Sequence, residues 1–536
     1  MVTTKILLTE DNAAMSHYQQ NVYLGFVSCV PDTLLPRRIY RKYFIPPVPV
    51  DRTGTALQAP LSLRAVEAAL LNVGFKRKDV SVIRPDFLES RVGESTEILA
   101  LSSHDPLGLG PATTTWSTIF PGTPLNRIEF LSFMKRVQRL KEKFSFKVAF
   151  GGFGAWQLLN NNLFSKLGID YLFLGEVEYK AFDFFSSILS NEPAEGSIVR
   201  GDIIKPEDIP PIRGSTNWGL VEVTRGCGRG CAYCAPTTSG KIRSIPVDTI
   251  VESAKVNLDA AWNKKKVIIL HSDDFLRYGT QGSVYRTNPS AIYELFESLF
   301  NIGAKSITIT HASLANIVAD ESFIKEFSKY LYKRGIFSFG CQPGLETGST
   351  RLMSLMMAGK TKPFSPDEWP LVVRNAMRIF HENSWHVVAT LIMGLPGEGR
   401  EDIIDTFKLI GSLEKFRSLY IPLFFVPMSM TRLSDRTRFI SKKMTKEHWF
   451  LLERCWKHNL THIFRLYEMT DTPDPIVLHN LLRLSVEALK VLMKWKRSNI
   501  INRSIQAPLV KDIDTKHLPR PCSADRSPSI QGQHTK

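Results

Sequence analysis

Three cysteines fall within eight residues, in the segment Thr224-Arg225-Gly226-Cys227-Gly228-Arg229-Gly230-Cys231-Ala232-Tyr233-Cys234, directly after a strand-like run. Thiolates separated by three and then two residues can ligate three irons of a cubane iron–sulfur cluster and leave the fourth iron open to a substrate or cofactor. Soft sulfur ligands select iron–sulfur or zinc over hard cations. Zinc is the alternative, but it ordinarily takes four ligands, and no fourth Cys or His sits at finger spacing nearby. Gly226, Gly228 and Gly230 let the loop wrap tightly, and their N–H groups can donate to cluster sulfurs. Cys29, Cys341, Cys455 and Cys522 are isolated and read as buried or incidental thiols. An odd count with one dense group is no disulfide framework and points to metal ligation in a reducing compartment.

Such a loop needs a frame, and 536 residues are enough for two or three domains with their own cores. A composition of 43% hydrophobic and 22% charged residues is that of a soluble globular protein. Met1 leads straight into a strand-like Lys5-Ile6-Leu7-Leu8 with no signal-peptide core. The longest apolar run, Tyr420 to Met430, holds two prolines and is too short to span a bilayer. A cytoplasmic protein with no membrane partner is expected. Net charge is +16, and from Arg436 onward 19 Lys or Arg face 9 Asp or Glu. That bias suits RNA or an acidic protein surface, and equally a solvated helical face with a loose tail.

From Lys5 to Ile188 short β-like runs alternate with helical stretches, the pattern of a parallel α/β sheet. The strands expected are Lys5 to Leu8, Val80 to Arg84, Glu97 to Leu101, Lys147 to Phe150 and Tyr171 to Leu174, with a helix over Leu61 to Val73. Pro206 to Gly214 reads as a linker. A second series follows, with strands at Leu220 to Val223, Val267 to Leu270, Ser306 to Thr310, Phe337 to Gly340, Val387 to Met393 and Leu419 to Phe425. Helices at Ile250 to Ala261, Ala291 to Phe300 and Leu371 to Phe380 separate them. Six βα units predict a barrel or partial barrel with its chemistry at the carboxyl ends of the strands. The organisation expected is an α/β domain over 1–195, a linker over 196–215, a partial (β/α)6 barrel over 216–435, a helical region over 436–500 and a disordered basic tail over 501–536. Leu482, Val486, Leu489 and Met493 form a core-facing stripe in the helical region.

The cysteine loop resembles the signature of the radical S-adenosylmethionine (SAM) superfamily, C-x3-C-x2-C with an aromatic residue, here Tyr233, before the last cysteine. The resemblance spans roughly residues 216 to 430. It implies a [4Fe-4S] cluster on Cys227, Cys231 and Cys234 whose open iron chelates SAM, reductive cleavage to a 5′-deoxyadenosyl radical, and an electron donor such as ferredoxin or flavodoxin. His271-Ser272-Asp273-Asp274 stands where the family contacts the SAM amino group, in place of the commoner Gly-Gly-Glu. Gly344-Leu345-Glu346-Thr347-Gly348-Ser349 looks like the family segment near the ribose or carboxylate, and Ile392-Met393-Gly394-Leu395-Pro396-Gly397-Glu398 like the adenine-side segment. The resemblance thus nominates Tyr233, Asp273, Asp274, Glu346, Gly348, Gly394 and Pro396 for SAM, and no proton-transfer residue.

The N-terminal part resembles the Rossmann-like cobalamin-binding domain of one radical SAM class. The segments that carry this are Ala59 to Arg64, Ala100 to Gly108, Gly151-Gly152-Phe153-Gly154-Ala155-Trp156 and Gly175-Glu176-Val177-Glu178. It nominates His104, Asp105, Gly108, Gly151, Gly152, Gly154, Gly175 and Glu176, the glycines giving backbone clearance to a large flat cofactor. The histidine-ligand motif Asp-x-His-x-x-Gly is absent. Cobalamin without a histidine ligand, cobalamin over His104, Asp105 or another loop residue, and a remnant that binds nothing all stand. With both cofactors the resemblance implies a methyltransferase for an unactivated carbon, in which one SAM methylates cob(I)alamin and another generates the radical. The acceptor would be a protein or peptide, specifically a glutamine of methyl-coenzyme M reductase as in similar archaeal members. The rivals are a tRNA methylthiotransferase, which would need a second cysteine triad near the N-terminus, another cobalamin-type radical enzyme, and a non-catalytic iron–sulfur or nucleic-acid-binding protein.

Overall fold

The computed structural model describes residues 4–159, 163–190, 196–235, 241–280, 284–337 and 339–468, leaving aside the side chains of residue 23 and residues 463–468. The stripe Leu482 to Met493, Cys522 and the basic tail lie outside the described residues.

Ile6-Leu7-Leu8, Ile98-Leu99-Ala100-Leu101 and Val148-Ala149-Phe150 are apolar at every position, as strands buried on both faces must be. They form β1 (Ile6–Thr9), β3 (Ile98–Ser102) and β4 (Lys147–Gly151) of an all-parallel sheet with β2 (Val80–Val82), β5 (Tyr171–Leu174) and β6 (Ile198–Arg200), in the order β2-β1-β3-β4-β5-β6. Alternate side chains feed two cores. Ile6, Leu8, Ala100 and Phe173 pack with Leu63 and Leu70 of the helix Leu61–Asn72 and Phe184 of the helix Ala181–Leu189. Leu7, Leu99 and Phe150 pack with Phe130, Phe133 and Val137 of the helix Leu125–Lys141. Because β2 and β3 lie on opposite sides of β1, the connections diverge there, and a crevice opens outside the carboxyl ends of β1 and β3. Strand β6 falls inside the segment expected to be linker. Its three residues are buried only at Val199, too short a pattern to register as a strand in the sequence.

The second strand series does not close one hydrogen-bonded sheet. The strands β7 (Leu220–Glu222), β10 (Val267–His271) and β11 (Ser306–Ile309) form a parallel sheet, with β10 in the middle. The strands β12 (Phe339–Cys341), β13 (Gly344–Glu346), β14 (Trp385–Met393) and β15 (Ser418–Phe424) form a second one around β14. Gln342 N donates to Thr310 O at 2.7 Å, which brings the two sheets edge to edge. A short antiparallel pair, β8 (Thr224–Arg225) with β9 (Arg243–Ser244), leads into the cysteine loop. One core, including Val221, Ile268, Ile307, Trp369, Trp385 and Tyr420, joins these strands to the helices between them. The helix Lys446–Glu468 is the described part of the expected helical region. No described helix is long and apolar enough to cross a membrane.

The two halves are stitched directly. Trp218 Nε1 donates to His17 O at 2.9 Å, Asn217 Nδ2 to Ser16 O at 3.0 Å, and Phe424 N to Thr115 Oγ1 at 2.8 Å.

Candidate functional site

The cysteine loop leaves β8 through Gly226, Gly228 and Gly230, all left-handed (φ 73°, 66° and 69°). Gly226 N donates to Asp273 Oδ2 at 2.9 Å, and Ala232 N donates to Met356 O at 2.9 Å. Between the first two cysteines, Arg229 points inward and is nearly fully buried. Its Nε meets Asp274 Oδ2 at 2.8 Å, and its Nη1 donates to the carbonyls of Gly359, Lys360 and Lys362 at 3.1–3.2 Å. Its Nη2 donates to Asn316, and the guanidinium lies 5.3 Å from the Tyr285 ring centre. Arg277 also faces Tyr285 and donates to Cys227 O. The loop is therefore pegged from within by a guanidinium whose planar fork suits several acceptors at once.

Cys227 and Cys231 are buried and Cys234 is half-buried. Burial raises all three thiol pKa values, that of Cys227 to about 11, and Cys231 lies near enough to raise Cys227 and Cys234 further. Three buried thiolates become favourable only round a positive centre, the condition that a metal cluster meets. Among the described residues no three His, Cys, Asp or Glu side chains are gathered as tightly as one metal ion needs. A cubane spreads its ligands over separate irons, and its thiols stand correspondingly apart.

A second charged group borders the thiols. Lys360 Nζ lies 2.8 Å from Glu346 Oε1. Burial acts to lower the Lys360 pKa, but Glu346 and then Cys231 outweigh it and the net shift is upward. Tyr233 is raised by burial first, with Glu346 beside it. Glu346 holds φ +66°, an uncommon conformation for a non-glycine residue and one that clusters at functional sites. Arg229 and Lys360 were missed in the sequence because neither sits in a spacing pattern. Only the structure shows that they flank Cys231.

The remaining nominated residues divide by what they touch. Asp273 braces Gly226, while the oxygens of Asp274 are taken by Arg229 and by Ser313 N at 3.1 Å. At Gly348 a Cβ would stand 2.7 Å from Asp405 O and Thr406 Cα, so its bareness serves helix packing. Gly394 (φ +78°) is backed by the Phe439 ring and donates to Glu398 at 2.7 Å, with Pro396 half-buried in the same turn. Asp105 accepts from Leu109 N, Gly110 N and Gln157 Nε2 at 2.7–2.9 Å and from Asn126 Nδ2 at 3.0 Å. It shapes its own loop, in which Gly108 (φ +65°) packs on Thr113 and Pro124. Gly154 lies against the carbonyls of Ser103 and His104, and Gly152 (φ +83°) against Ser102. Gly175 (φ +99°) precedes Glu176, which accepts from Arg243 Nη1 at 2.9 Å and Arg225 Nη1 at 3.2 Å. Arg225 also meets Glu178 at 2.7 Å and Glu222 at 2.9 Å, a network that clamps the N-terminal sheet to β8.

Two features of the sheet edge stay open. A cavity of about 220 Å³ lies at the carboxyl ends of β3, β4 and β5, with an apolar wall that includes Leu63, Ala100, Ala149 and Phe173 and with Gly151, Gly152 and Gly175 at its edge. A Cβ on Gly151 would meet only ordinary contacts. His104 is exposed but surrounded by protein, as a cleft-lining residue is, and stacks on Phe153 at 4.9 Å and 14°. His271 at the end of β10 is near enough to act on His104, and its ring centre lies 6.5 Å from that of His311. Burial and then His271 lower the His311 pKa to about 4, so it is neutral at physiological pH. His104, beyond the carboxyl end of β3, thus lies near His271 at the carboxyl end of β10.

At the end of β1, burial raises Glu10 to about 8 and Asp11 to about 7, against ordinary values of 4.5 and 3.8. Glu10 accepts from Ser62 Oγ at 2.8 Å, which only partly offsets burial. A carboxyl that keeps its proton to higher pH when folded makes folding bind protons between about pH 4 and 8, and stability falls as pH rises through that window. The thermal midpoint is expected to drop between pH 5 and pH 8, and Glu10→Gln to flatten that slope. An equal slope in the variant would contradict the assignment.

Residues 221–410 match the sequence model of the Radical SAM superfamily. Among curated proteins, the chain is 25% identical over 248 residues to the tRNA-2-methylthio-N(6)-dimethylallyladenosine synthase of Wolinella succinogenes, covering 46% of this chain and 53% of that one. It is 24% identical over 217 residues to the probable threonylcarbamoyladenosine tRNA methylthiotransferase of Methanothermobacter thermautotrophicus, covering 40% and 46%. The chain spans about half the length of these relatives. Among solved structures it resembles the radical S-adenosylmethionine methyltransferase TsrM from Kitasatospora setae, determined with cobalamin and a [4Fe-4S] cluster bound. The TM-score is 0.51 at 12% identity, over 80% of this chain and 74% of that one. It also resembles the apo form of the cobalamin-dependent S-adenosylmethionine radical enzyme OxsB, with a TM-score of 0.51 at 13% identity, over 94% and 75%. At these identities the likeness is one of fold, and it extends over both halves of the chain. With the cysteine loop, its strand and the family match falling on the same stretch, the chain carries a radical SAM domain over residues 221–410.

Proposed function

We propose that the chain is a cobalamin-dependent radical SAM methyltransferase that methylates an unactivated carbon of a protein or peptide. The observation that carries this reading is the N-terminal sheet with its glycine-edged cavity, which borders Arg225 at the root of the cysteine loop and whose His104 lies near His271 at the end of β10. When bound, the cluster would supply one electron to SAM, and cobalamin would carry the methyl group. Cys227, Cys231 and Cys234 would hold the cluster, Lys360 and Arg229 offset the negative charge of the thiolates, and Gly151 and Gly152 give cobalamin backbone clearance. His104, stacked on Phe153 beyond the end of β3, would line the cobalamin site from the sheet side. Asp105 is occupied in its own loop. The acceptor suggested by the archaeal resemblance is a glutamine of methyl-coenzyme M reductase.

The curated relatives favour a second reading, thiomethylation of tRNA. Against it, only Cys29 precedes Cys227, so the second cysteine triad of that class has no counterpart in this stretch. The test separates the two. The anaerobically reconstituted protein, incubated with hydroxocobalamin and desalted, should retain corrin absorbance, and with SAM and dithionite it should form both S-adenosylhomocysteine and 5′-deoxyadenosine. A protein that stays corrin-free and forms the homocysteine product equally well without cobalamin would overturn the methyltransferase reading.

A further inference from the structure

Arg277, in the turn that follows β10, is fully buried. Its Nε donates to Val284 O at 2.9 Å, and its Nη1 donates to the carbonyl of Cys227, the first thiol of the cysteine loop. Its guanidinium lies 4.7 Å from the Tyr285 ring centre, and that of Arg229 lies 5.3 Å from the same ring. Two buried guanidinium groups thus share one aromatic face-partner, an attraction that strengthens away from water. Tyr285 is half-buried where both arginines are buried, and its hydroxyl reaches Gly228 O at 3.5 Å, so the ring helps to keep water from the pair.

Burial lowers the Arg277 pKa against the pull of Asp274, and the like charge of Arg229 lowers it further, while the Cys227 thiol is near enough to act in the opposite sense. A guanidinium keeps its charge all the same. Holding two such charges side by side out of water is costly unless negative charge lies against them. A cubane on three thiolates supplies it, because its net charge is negative and grows by one unit on reduction.

We infer that Arg277, with Arg229 beside it and Tyr285 over both, raises the reduction potential of the cluster on Cys227, Cys231 and Cys234 by stabilising its reduced form. The inference rests on the radical SAM reading proposed above and adds a residue that sets how readily the cluster takes up its electron. Arg277 reaches the Cys227 backbone and not a reacting atom, so it acts through its charge and is a positioning residue.

The test is a potentiometric titration of the full reconstituted chain without SAM, mediated by dyes, with dithionite as the reductant and the reduced cluster read by electron paramagnetic resonance. Arg277→Gln removes the charge and keeps a donor. At a fixed solution potential its ratio of reduced to oxidised cluster should fall about tenfold, a midpoint lowered by about 59 mV for a one-electron couple. Arg277→Lys should stay near the wild-type midpoint. Tyr285→Leu should lower the midpoint as well, since water then screens both guanidinium groups. A wild-type midpoint in Arg277→Gln would overturn the inference, as would a fall in Arg277→Lys equal to that in Arg277→Gln, which would mark shape and not charge. Should Arg277→Gln hold no cluster, an unchanged midpoint in Tyr285→Leu would overturn it instead. A wild-type chain that assembles no iron–sulfur cluster would sink the radical SAM reading itself, a result distinct from any shift among the variants.

Discussion

Replacing Cys231 by alanine is expected to abolish both the iron–sulfur absorbance of the reconstituted protein and its formation of 5′-deoxyadenosine from SAM. Three thiols on one loop are the minimum that can hold a cubane with one iron free, and among the described residues no other cysteine lies on that loop. Cys341 and Cys455 are fully buried elsewhere in the core, with thiols pushed up by burial, Cys455 to about 12. Cys227→Ala and Cys234→Ala should behave as Cys231→Ala does. Cys341→Ala should leave iron content and SAM cleavage intact and cost only packing. Iron and sulfide analysis with chromatography of the nucleoside checks each variant, and retention of the cluster in any of the first three would break the ligand assignment.

Arg229→Met should lower the thermal midpoint by roughly 10 °C, because it removes the partner of a buried Asp274 and strips the donor from three backbone carbonyls. Breaking one side of such a pair costs about 3–5 kcal/mol, whereas replacing both sides is far milder. The double variant Arg229→Met, Asp274→Leu should therefore recover part of the loss. Neither variant should restore the loop, since the peg at Gly359, Lys360 and Lys362 is gone from both. Cluster content and the cluster's reduction potential should stay altered in the double variant even as its melting recovers. A double variant with wild-type cluster spectra would show that Arg229 only stabilises and does not position.

The cysteine loop was legible in the sequence because its chemistry is local. Spacing within eight residues determines which ligands can share a cluster, and glycines between them mark the turn. The strands of both halves were legible for a similar reason, since apolar runs buried on two faces leave a continuous signature. What escaped was set by distant contacts. Arg229 gains its partners from residues 45 to 133 positions away, and Lys360 reaches Glu346 and Cys231 through packing that no spacing announces. Glycine was the least specific signal. Gly151 lines a cavity, whereas Gly154 and Gly348 are small to let backbone or a helix approach, and the three read alike in the sequence. Asp105 and Glu176 are conspicuous acidic residues beside glycine turns, and their oxygens take part in loop closure and the Arg225–Arg243 clamp, contacts that no spacing announces.

Three thiolates on this loop leave one iron of a cubane vacant for SAM. Elemental analysis of the anaerobically reconstituted protein, combined with electron paramagnetic resonance of its reduced form, tests it most directly. About four iron and four sulfide per chain are expected, with a reduced-cluster signal that changes when SAM is added. Stoichiometric zinc without labile sulfide, or a cluster signal indifferent to SAM, would contradict it.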